Sequence, residues 1–208
     1  DPAQCRIVIG TVGSSMIDAL AKAGKIDTKE LKGKREKYII GTTEGDNSVL
    51  YIAGSDRRGT IYGIYELSRQ MGVSPWYYWM DVPVKRQQSV YVQRGQYTDG
   101  EPAVRYRGIF LNDEAPCLTS WVKNTFGTGY GDHRFYAKVF ELLLRLKGNY
   151  IWPAMWGWAF YADDPLNSKT ADDMGIMVGT SHHEPMSRSQ KEWHGHSDNP
   201  NVEPQDLK

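Results

Sequence analysis

Strand and helix signals alternate in a strict order through the second half of the chain, and this order limits the folds that it can adopt. Segments 106–111, 149–152 and 175–179 are short and apolar, as buried strands are. Segment 133–147 carries an apolar stripe at helical spacing, and a shorter helix is predicted to end at Met174. Strands that alternate with helices pair in parallel through right-handed crossovers. The pattern therefore predicts a parallel α/β sheet, either closed as a barrel or open and doubly wound.

The first hundred residues predict a smaller α/β arrangement. Four strands are expected, at 5–10, 37–41, 48–53 and 89–93. Ser14 or Ser15 can cap a helix after the first strand, and a second helix is expected to open at Asp56. The predicted apolar face of this second helix consists of Ile61, Ile64, Tyr65 and either Ser68 or Met71, which lie at helical spacing. Turn-forming residues between the second and third strands predict a hairpin.

A polar, glycine-rich segment over 93–102 marks the predicted domain boundary. We expect an N-terminal α/β domain over 1–100, whose own start is missing, and a second domain over 101–208. Because a (β/α)8 barrel has eight strands, this second domain would hold only the first three and be incomplete.

The open doubly wound alternative predicts a nucleotide-binding loop, and the chain lacks its signature. A dinucleotide-binding domain carries a glycine fingerprint directly after a strand. Segment 10–13, Gly-Thr-Val-Gly, lacks the third glycine, and the sequence has no Gly-Lys-Ser/Thr loop. The predicted fold class is therefore α/β: an N-terminal α/β domain followed by the first part of a truncated (β/α)8 TIM barrel.

The charge balance and the cysteine count exclude several classes of protein. Lys+Arg and Asp+Glu both number 25, so no overall field draws the chain to nucleic acid or to a membrane surface. No apolar run is long enough to span a bilayer. Cys5 and Cys117 lie far apart in the chain and support neither a disulfide framework nor a metal knuckle. The function must therefore lie in a local site.

Polar and aromatic clusters follow the three strands predicted for the second half. Active sites of parallel α/β barrels form at these carboxyl ends. The clusters are Asn-Asp-Glu at 112–114, Trp-Pro-Ala-Met-Trp at 152–156 and Ser-His-His-Glu at 181–184. Strands that only support a fold end more often in plain turn residues, so we interpret the clusters as one wall of a binding pocket.

Asp113 and Glu114 are adjacent carboxylates, and on a strand they point in opposite directions. At most one of them therefore faces the barrel axis. This carboxylate is either a helix cap or turn residue, or it accepts hydrogen bonds from sugar hydroxyls or acts as one of the two catalytic carboxylates of a glycosidase. A long loop, rather than a helix, is expected after Pro116, which counts against a cap. The sequence pattern alone does not decide between the structural role and the role in substrate binding or catalysis.

His182, His183 and Glu184 form a cluster without the spacing of a metal site. Adjacent histidines on a strand are poor partners for one ion, and the helical His-Glu-x-x-His pattern is absent. No metal or cofactor is expected. One histidine is predicted to enter the pocket as a hydrogen-bond donor, or as a cation facing an acidic substrate, and the other to be structural.

Trp152, Trp156 and Trp158 surround the end of the second of these strands. Packing beneath the following loop explains most aromatic residues in such a position. At least one of the three is nevertheless expected to face the pocket, where its flat ring would stack on a sugar.

Several sequence blocks, in the same order, resemble glycoside hydrolase family 115. Three of them contain the strand-end clusters, and the others lie upstream. The blocks are RGIFLNDEAP at 107–116, GNYIWPAMW at 148–156, GTSHHEPM at 179–186, AGSDRRGTIYG at 53–63 and GVSPWYYW at 72–79.

The resemblance implies a xylan α-1,2-glucuronidase that removes glucuronic acid, or its 4-O-methyl form, from glucuronoxylan with inversion. It also implies a secreted or periplasmic homodimer whose barrel is followed by a helical region and a β-sandwich. The positions that match the family's substrate pocket are Asp113, Trp156 and His182, with Glu114 and His183 as their neighbours. The family's main catalytic carboxylates would lie on later strands, beyond Lys208.

Two alternatives remain open. Another barrel glycosidase, of the family 67 α-glucuronidase or hexosaminidase type, would share the architecture and differ in its strand-end residues. A non-catalytic carbohydrate-binding protein would use the aromatic clusters alone. We expect the 208-residue chain by itself to be inactive and poorly folded beyond residue 100, because an unclosed barrel leaves apolar edges unpaired.

Overall fold

The chain divides into two compact units, 1–105 and 106–208. Each unit has its own sheet with its own helices. The structure is a computed structural model that describes residues 6–45, 48–112, 115–153, 155–179 and 188–189.

In its described residues, unit 1 is a mixed four-stranded sheet with two α-helices. The strands are β1 (Arg6–Thr11), β2 (Tyr38–Thr42), β3 (Val49–Gly54) and β4 (Gln96–Tyr97), in the spatial order β1-β3-β2-β4. β1 and β3 are parallel, and β2 and β3 are antiparallel, which confirms the predicted hairpin. The helices are α1 (Ser15–Lys22) and α2 (Arg57–Gln70), and a 3-10 turn spans Lys29–Leu31.

The fourth strand does not lie where the sequence pattern placed it. Residues 89–93 form no strand, so that prediction is wrong; two residue pairs instead join β4 to β2. β-branched and aromatic residues favour a strand only where a neighbouring strand and a buried face receive them. Val90 and Tyr91 have neither in the described part of the chain, and Tyr91 is 92% exposed.

Helix α1 packs its predicted apolar face against β1 and β3. Ile17 is fully buried, and Leu20 and Ala21 pack against the same apolar cluster. Ser14 occupies the N-cap position, as predicted, but its side chain makes no capping hydrogen bond. The start of the helix therefore depends on the packing of its apolar face more than on a capping side chain.

Helix α2 lies so close to the sheet that glycines form its contact surface. Asp56 caps the helix, because its Oδ1 accepts a hydrogen bond from the Gly59 N–H (2.7 Å). A β-carbon on Gly59 would lie 2.4 Å from the Lys37 carbonyl oxygen, and one on Gly63 would lie 2.5 Å from Ile52 Cγ2. Any larger residue would push the helix away from the strands.

The apolar face predicted for α2 is therefore wrong. Its buried residues are Gly59, Tyr62, Gly63 and Glu66. Ile64, which the helical spacing placed in the core, is 39% exposed. The orientation of this helix depends on how closely its backbone approaches the sheet at Gly59 and Gly63. Hydrophobic periodicity alone does not predict such an approach.

In its described residues, unit 2 is a parallel three-stranded sheet with four helices. The strands are β5 (Gly108–Phe110), β6 (Tyr150–Trp152) and β7 (Met177–Val178), in that spatial order. Both pairings are parallel, as the alternation of strands and helices predicted. The helices are α3 (Cys117–Phe126), α4 (His133–Arg145), α5 (Phe160–Asp163) and α6 (Leu166–Met174). None of the described helices in either unit is long and apolar enough to cross a bilayer.

Helix α4 confirms the clearest helical pattern in the sequence. Asp132 caps it by accepting hydrogen bonds from the N–H groups of Arg134 (3.0 Å) and Phe135 (3.1 Å). Its buried face consists of Phe135, Tyr136, Val139, Phe140, Leu143 and Leu144. Phe135, Val139 and Leu143 of this face belong to the predicted stripe, whereas Leu146, the last leucine of that stripe, is 46% exposed.

Helix α3 was not predicted, and the long loop expected after Pro116 is wrong. The helix begins directly after this proline, and Val122 is its one buried residue in the described structure. Its Trp121 and Phe126 rings contact the Phe135 ring of α4, with centroids 6.3 and 6.0 Å apart. Contacts between two helices produce no periodic pattern within α3 itself. The sequence pattern therefore did not predict this helix.

We predict that Gly59→Ala will lower the free energy of unfolding by about 3 kcal/mol, because the added methyl group overlaps the Lys37 carbonyl. Alanine is the better helix former, so propensity alone would change stability in the opposite direction. The control is Ile64→Ala on the exposed face of α2, which should cost about 1 kcal/mol or less. Urea unfolding followed by circular dichroism measures both variants, and equal losses would contradict the glycine contact surface.

A hydrogen-bonded carboxylate links the starts of α4 and α6. Asp164 accepts hydrogen bonds from the His133 N–H (3.0 Å), from His133 Nδ1 (2.7 Å) and from the Leu166 N–H (2.9 Å). Burial opposes ionisation, but these hydrogen bonds outweigh it and hold the pKa of Asp164 below its usual value. The ionised form therefore stabilises unit 2 above about pH 4, and this contribution is lost as the pH falls through the lowered pKa.

Asp164→Asn is expected to lower the free energy of unfolding by about 1–2 kcal/mol at neutral pH, because a charged acceptor is lost. The difference from the wild type should shrink below about pH 4, because the carboxyl is then protonated in the unfolded chain and, below its lowered pKa, in the folded protein as well. Urea unfolding at pH 7 and pH 3 measures it, with Asp173→Asn at an exposed site of α6 as control. A difference that stays the same at both pH values would rule out the charged contact as its source.

Candidate functional site

The carboxyl ends of β5, β6 and β7 meet at one edge of the parallel sheet. The Leu111 N–H donates to the Trp152 carbonyl, and the Gly179 N–H donates to the Ile151 carbonyl, both at 2.9 Å. We call this edge, marked by Leu111, Trp152 and Gly179, the carboxyl edge. The segments that follow the three strands all start from it.

Of the site residues predicted from the sequence, the structure describes Trp156. The other four lie outside the described residues: Asp113, Glu114, His182 and His183. Asn112, which precedes the two carboxylates in the chain, is exposed, and Gly179 is the last described residue before the two histidines. The roles assigned to these side chains stay predictions.

Aromatic side chains line one face of the sheet next to the carboxyl edge. Side chains alternate along a strand, so Ile151, which is fully buried, points away from Tyr150 and Trp152. The Trp152 ring lies 6.3 Å from the Phe110 ring and 6.4 Å from the Tyr150 ring, centroid to centroid. Phe110 is 46% and Trp152 41% exposed. We call Phe110, Tyr150 and Trp152 the aromatic face, which offers flat, partly open surfaces to a ligand.

The tryptophans of the loop after β6 have different environments. Trp158 is 1% exposed, and its ring centroid lies 5.7 Å from that of Phe135. A β-carbon on Gly131 would lie 2.9 Å from Trp158 Cζ3, so the indole is tightly enclosed. Trp156 is 62% exposed. Trp158 is therefore a core residue, whereas Trp152 and Trp156 are open to a ligand.

Buried polar side chains hold this loop in place. The hydroxyl of Ser189, a fully buried residue, lies 3.1 Å from the Met155 carbonyl oxygen and 3.0 Å from that of Trp158. Asp163 Oδ2 accepts a hydrogen bond from the Ala159 N–H (2.7 Å). Sequence reasoning missed both anchors. Ser189 lies in a polar segment whose pattern does not indicate that any of its residues is buried. Asp163 directly follows a largely apolar run, and this position indicates that its carboxylate is buried.

Carboxylates gather around the start of α4. Burial, and then the charges of Asp163, Asp164 and Asp132, raise the pKa of Tyr130. Asp132 also forms an ion pair with Arg134 (2.5 Å). Among the described residues, no group of three His, Cys, Asp or Glu side chains is placed to hold a metal ion. The carboxylates here serve as helix caps and ion-pair partners.

Unit 1 contains a groove of about 470 Å³ between the end of α2, the edge of β2 and the segment 90–97. Leu67 and Met71 form part of one wall, and Tyr91 and Tyr97 belong to the other. The described residues that line it include no carboxylate and no histidine. The groove therefore offers tyrosines but no carboxylate or histidine for general acid or base catalysis, whereas the sequence has both types directly after strands of the carboxyl edge. The carboxyl edge of unit 2 is the better candidate.

Comparison with known proteins points to one family of enzymes. The family model described as "Glycosyl hydrolase family 115" matches residues 99–206, more than half of the chain. A solved structure described as a novel family GH115 4-O-methyl-α-glucuronidase, with specificity for decorated arabinogalactans, is similar over 95% of the chain, with 36% identity and a TM-score of 0.81. The chain covers 26% of that protein, about a quarter of its length. No curated protein sequence matches the chain.

Trp158→Ala should lower the free energy of unfolding by about 3–5 kcal/mol, because it leaves a cavity among enclosed aromatic rings. Trp156→Ala, two residues earlier, should cost about 1 kcal/mol or less because the side chain is largely exposed. Urea unfolding of both variants, followed by circular dichroism, tests this difference. If Trp156→Ala is as costly as Trp158→Ala, the assignment of core and open tryptophans is wrong.

Proposed function

Since the chain belongs to glycosyl hydrolase family 115, we propose that its protein is a glycoside hydrolase that releases glucuronic acid, or its 4-O-methyl form, from polysaccharide side chains. The observation that carries the proposal is the family match over 99–206, a range that includes all three strands of the carboxyl edge. The similar solved structure is described as a 4-O-methyl-α-glucuronidase, which supports the same reaction.

Glucuronoxylan with α-1,2-linked glucuronic acid is the substrate that we propose first. A decorated arabinogalactan is the second candidate, because the similar solved enzyme is described as specific for such polymers. Both carry an acidic sugar on a neutral backbone, so the same pocket chemistry would serve either. We also propose that the enzyme is secreted or periplasmic, where such polymers occur, and that it is a homodimer.

The proposed architecture is a (β/α)8 barrel of which β5, β6 and β7 are the first three strands, preceded by an N-terminal α/β domain. The parallel pairing of these strands and the helices between them support it. Within the described residues, β5 and β7 each pair on one side only, so the sheet can accept further strands. The aromatic face would then point into the barrel, and the carboxyl edge would be its catalytic end.

The proposed reaction needs two carboxylates on opposite sides of the scissile bond. In an inverting glycosidase they stand about 6.5–9.5 Å apart, which leaves room for the attacking water. Asp113 is proposed either as one of them or as an acceptor for sugar hydroxyls, with Glu114 as its neighbour. The remaining catalytic carboxylates would come from later strands, beyond Lys208.

Binding of the acidic sugar is assigned to the other two strand ends. Trp156, which is 62% exposed, is proposed to stack on the sugar ring. His182 or His183 is proposed to donate a hydrogen bond to the substrate or, when protonated, to pair with the sugar carboxylate. Glycosidases need no metal or cofactor for this chemistry, and none is proposed.

The protein that carries this chain is predicted to release free uronic acid from glucuronoxylan, measured by anion-exchange chromatography. Proton NMR of the first product should detect the β-anomer, because inversion at an α-linkage yields it. A parallel reaction with glucuronic-acid-decorated arabinogalactan tests the second substrate. The 208-residue chain by itself serves as the control and is expected to release no acid.

Three outcomes would contradict parts of the proposal. Binding of both polysaccharides without any release would favour a non-catalytic carbohydrate-binding protein. Release of an amino sugar from another substrate would favour a hexosaminidase-type barrel. An α-anomer as first product would exclude inversion while leaving the substrate assignment intact.

A further inference from the structure

Tyr150 and Trp152 form a hydrogen-bonded pair on the aromatic face. The two residues are two apart on β6, so their side chains project from the same side of the sheet. The Tyr150 hydroxyl reaches toward the carboxyl edge and accepts a hydrogen bond from Trp152 Nε1 at 2.9 Å. An indole N–H is only a donor, so this bond fixes the direction in which the indole points.

The same tyrosine ring lies over the end of β7. Tyr150 pairs with Met177, and Gly179 is two residues further along on the same face. A β-carbon on Gly179 would lie 1.6 Å from the Tyr150 hydroxyl oxygen and 3.1 Å from Trp152 Cδ1. Tyr150 therefore occupies the space that a side chain at Gly179 would need. The ends of β6 and β7, which are already joined by a backbone hydrogen bond, thus also meet through the Tyr150 side chain.

We propose that Tyr150 is a positioning residue of the sugar pocket. It holds the Trp152 indole in one orientation and fills the space over Gly179 at the end of β7. β6 and β7 are the two strands that precede Trp156 and the two histidines. The proposal rests on the proposed function, because it gives Tyr150 a role only if the acidic sugar binds at the carboxyl edge. A side chain that binds substrate in one geometry must be held in place by its neighbours, because a small displacement lowers the reaction rate by a large factor.

Tyr150→Phe in the protein that carries this chain tests the hydroxyl separately from the ring. We expect kcat/KM for glucuronoxylan to fall about tenfold, with little change in Tm, because the ring still fills the space over Gly179. The Trp152 indole signal in a ¹H–¹⁵N spectrum, assigned with Trp152→Phe, should shift as its hydrogen bond is lost. The control is Tyr91→Phe, which removes a hydroxyl from a 92% exposed residue of unit 1.

A second experiment tests the contact between Tyr150 and Gly179. Gly179→Ala should lower kcat/KM strongly in the wild-type background, because the methyl group collides with Tyr150. In a Tyr150→Ala background the same substitution should cost much less, because the space over β7 is then empty. The two effects are therefore expected to be non-additive, as for residues in direct contact.

The outcomes separate this proposal from the proposed function. A wild-type protein that releases no uronic acid counts against the function. With an active wild type, an unchanged kcat/KM in Tyr150→Phe, or additive effects of the Gly179 and Tyr150 substitutions, overturns the positioning role. An indole signal that does not move in Tyr150→Phe overturns it whether or not the enzyme is active.

Discussion

Close backbone approaches in both units are made at glycine, and the packing around them depends on the missing β-carbon. Gly59 and Gly63 let α2 lie directly on its sheet. A β-carbon on Gly108 would lie 1.8 Å from the Tyr150 carbonyl oxygen, and the pairing of β5 with β6 allows no such atom. Gly131 encloses the Trp158 indole, and Gly179 lies under the Tyr150 ring. Helix, strand and loop positions are therefore determined by residues that have no side chain.

Local periodicity was sufficient to predict the three strands of unit 2 with helices α4 and α6, and with them the parallel sheet. It failed where contacts between distant residues decide the structure. Helix α3 depends on Trp121 and Phe126 meeting Phe135, which no pattern inside α3 records. The orientation of α2 depends on the space available at Gly59 and Gly63. A hydrophobicity pattern contains no information on that space, and it wrongly predicted that Ile64 would be buried. Segment 89–93 has the composition of a strand without a partner strand in the described residues.

In the candidate site, too, some features could be predicted from the sequence pattern, and others depend on contacts between distant residues. Topology alone brought the three strand ends to one edge, because parallel strands end together. The choice among the tryptophans could not be made in advance: alternation does not hold in a loop, and the burial of Trp158 depends on Gly131 and Ser189, both more than twenty residues away. The contact between Tyr150 and Gly179 could not be predicted from the sequence either, because it is made by one ring on β6 with a residue at the end of β7.

The segment 80–99 has a practical consequence for proteolysis within unit 1. Every residue in it is exposed, and it contains Lys85, Arg86 and Arg94, at which trypsin cleaves. Exposed, extended segments are the preferred sites of proteolytic nicking. A cut there would leave β1, β2 and β3 with both helices of unit 1 on one fragment, while β4, joined to β2 by two residue pairs, would remain covalently attached to unit 2. Limited digestion therefore offers a direct way to isolate a fragment that starts between residues 86 and 95 and carries the whole carboxyl edge.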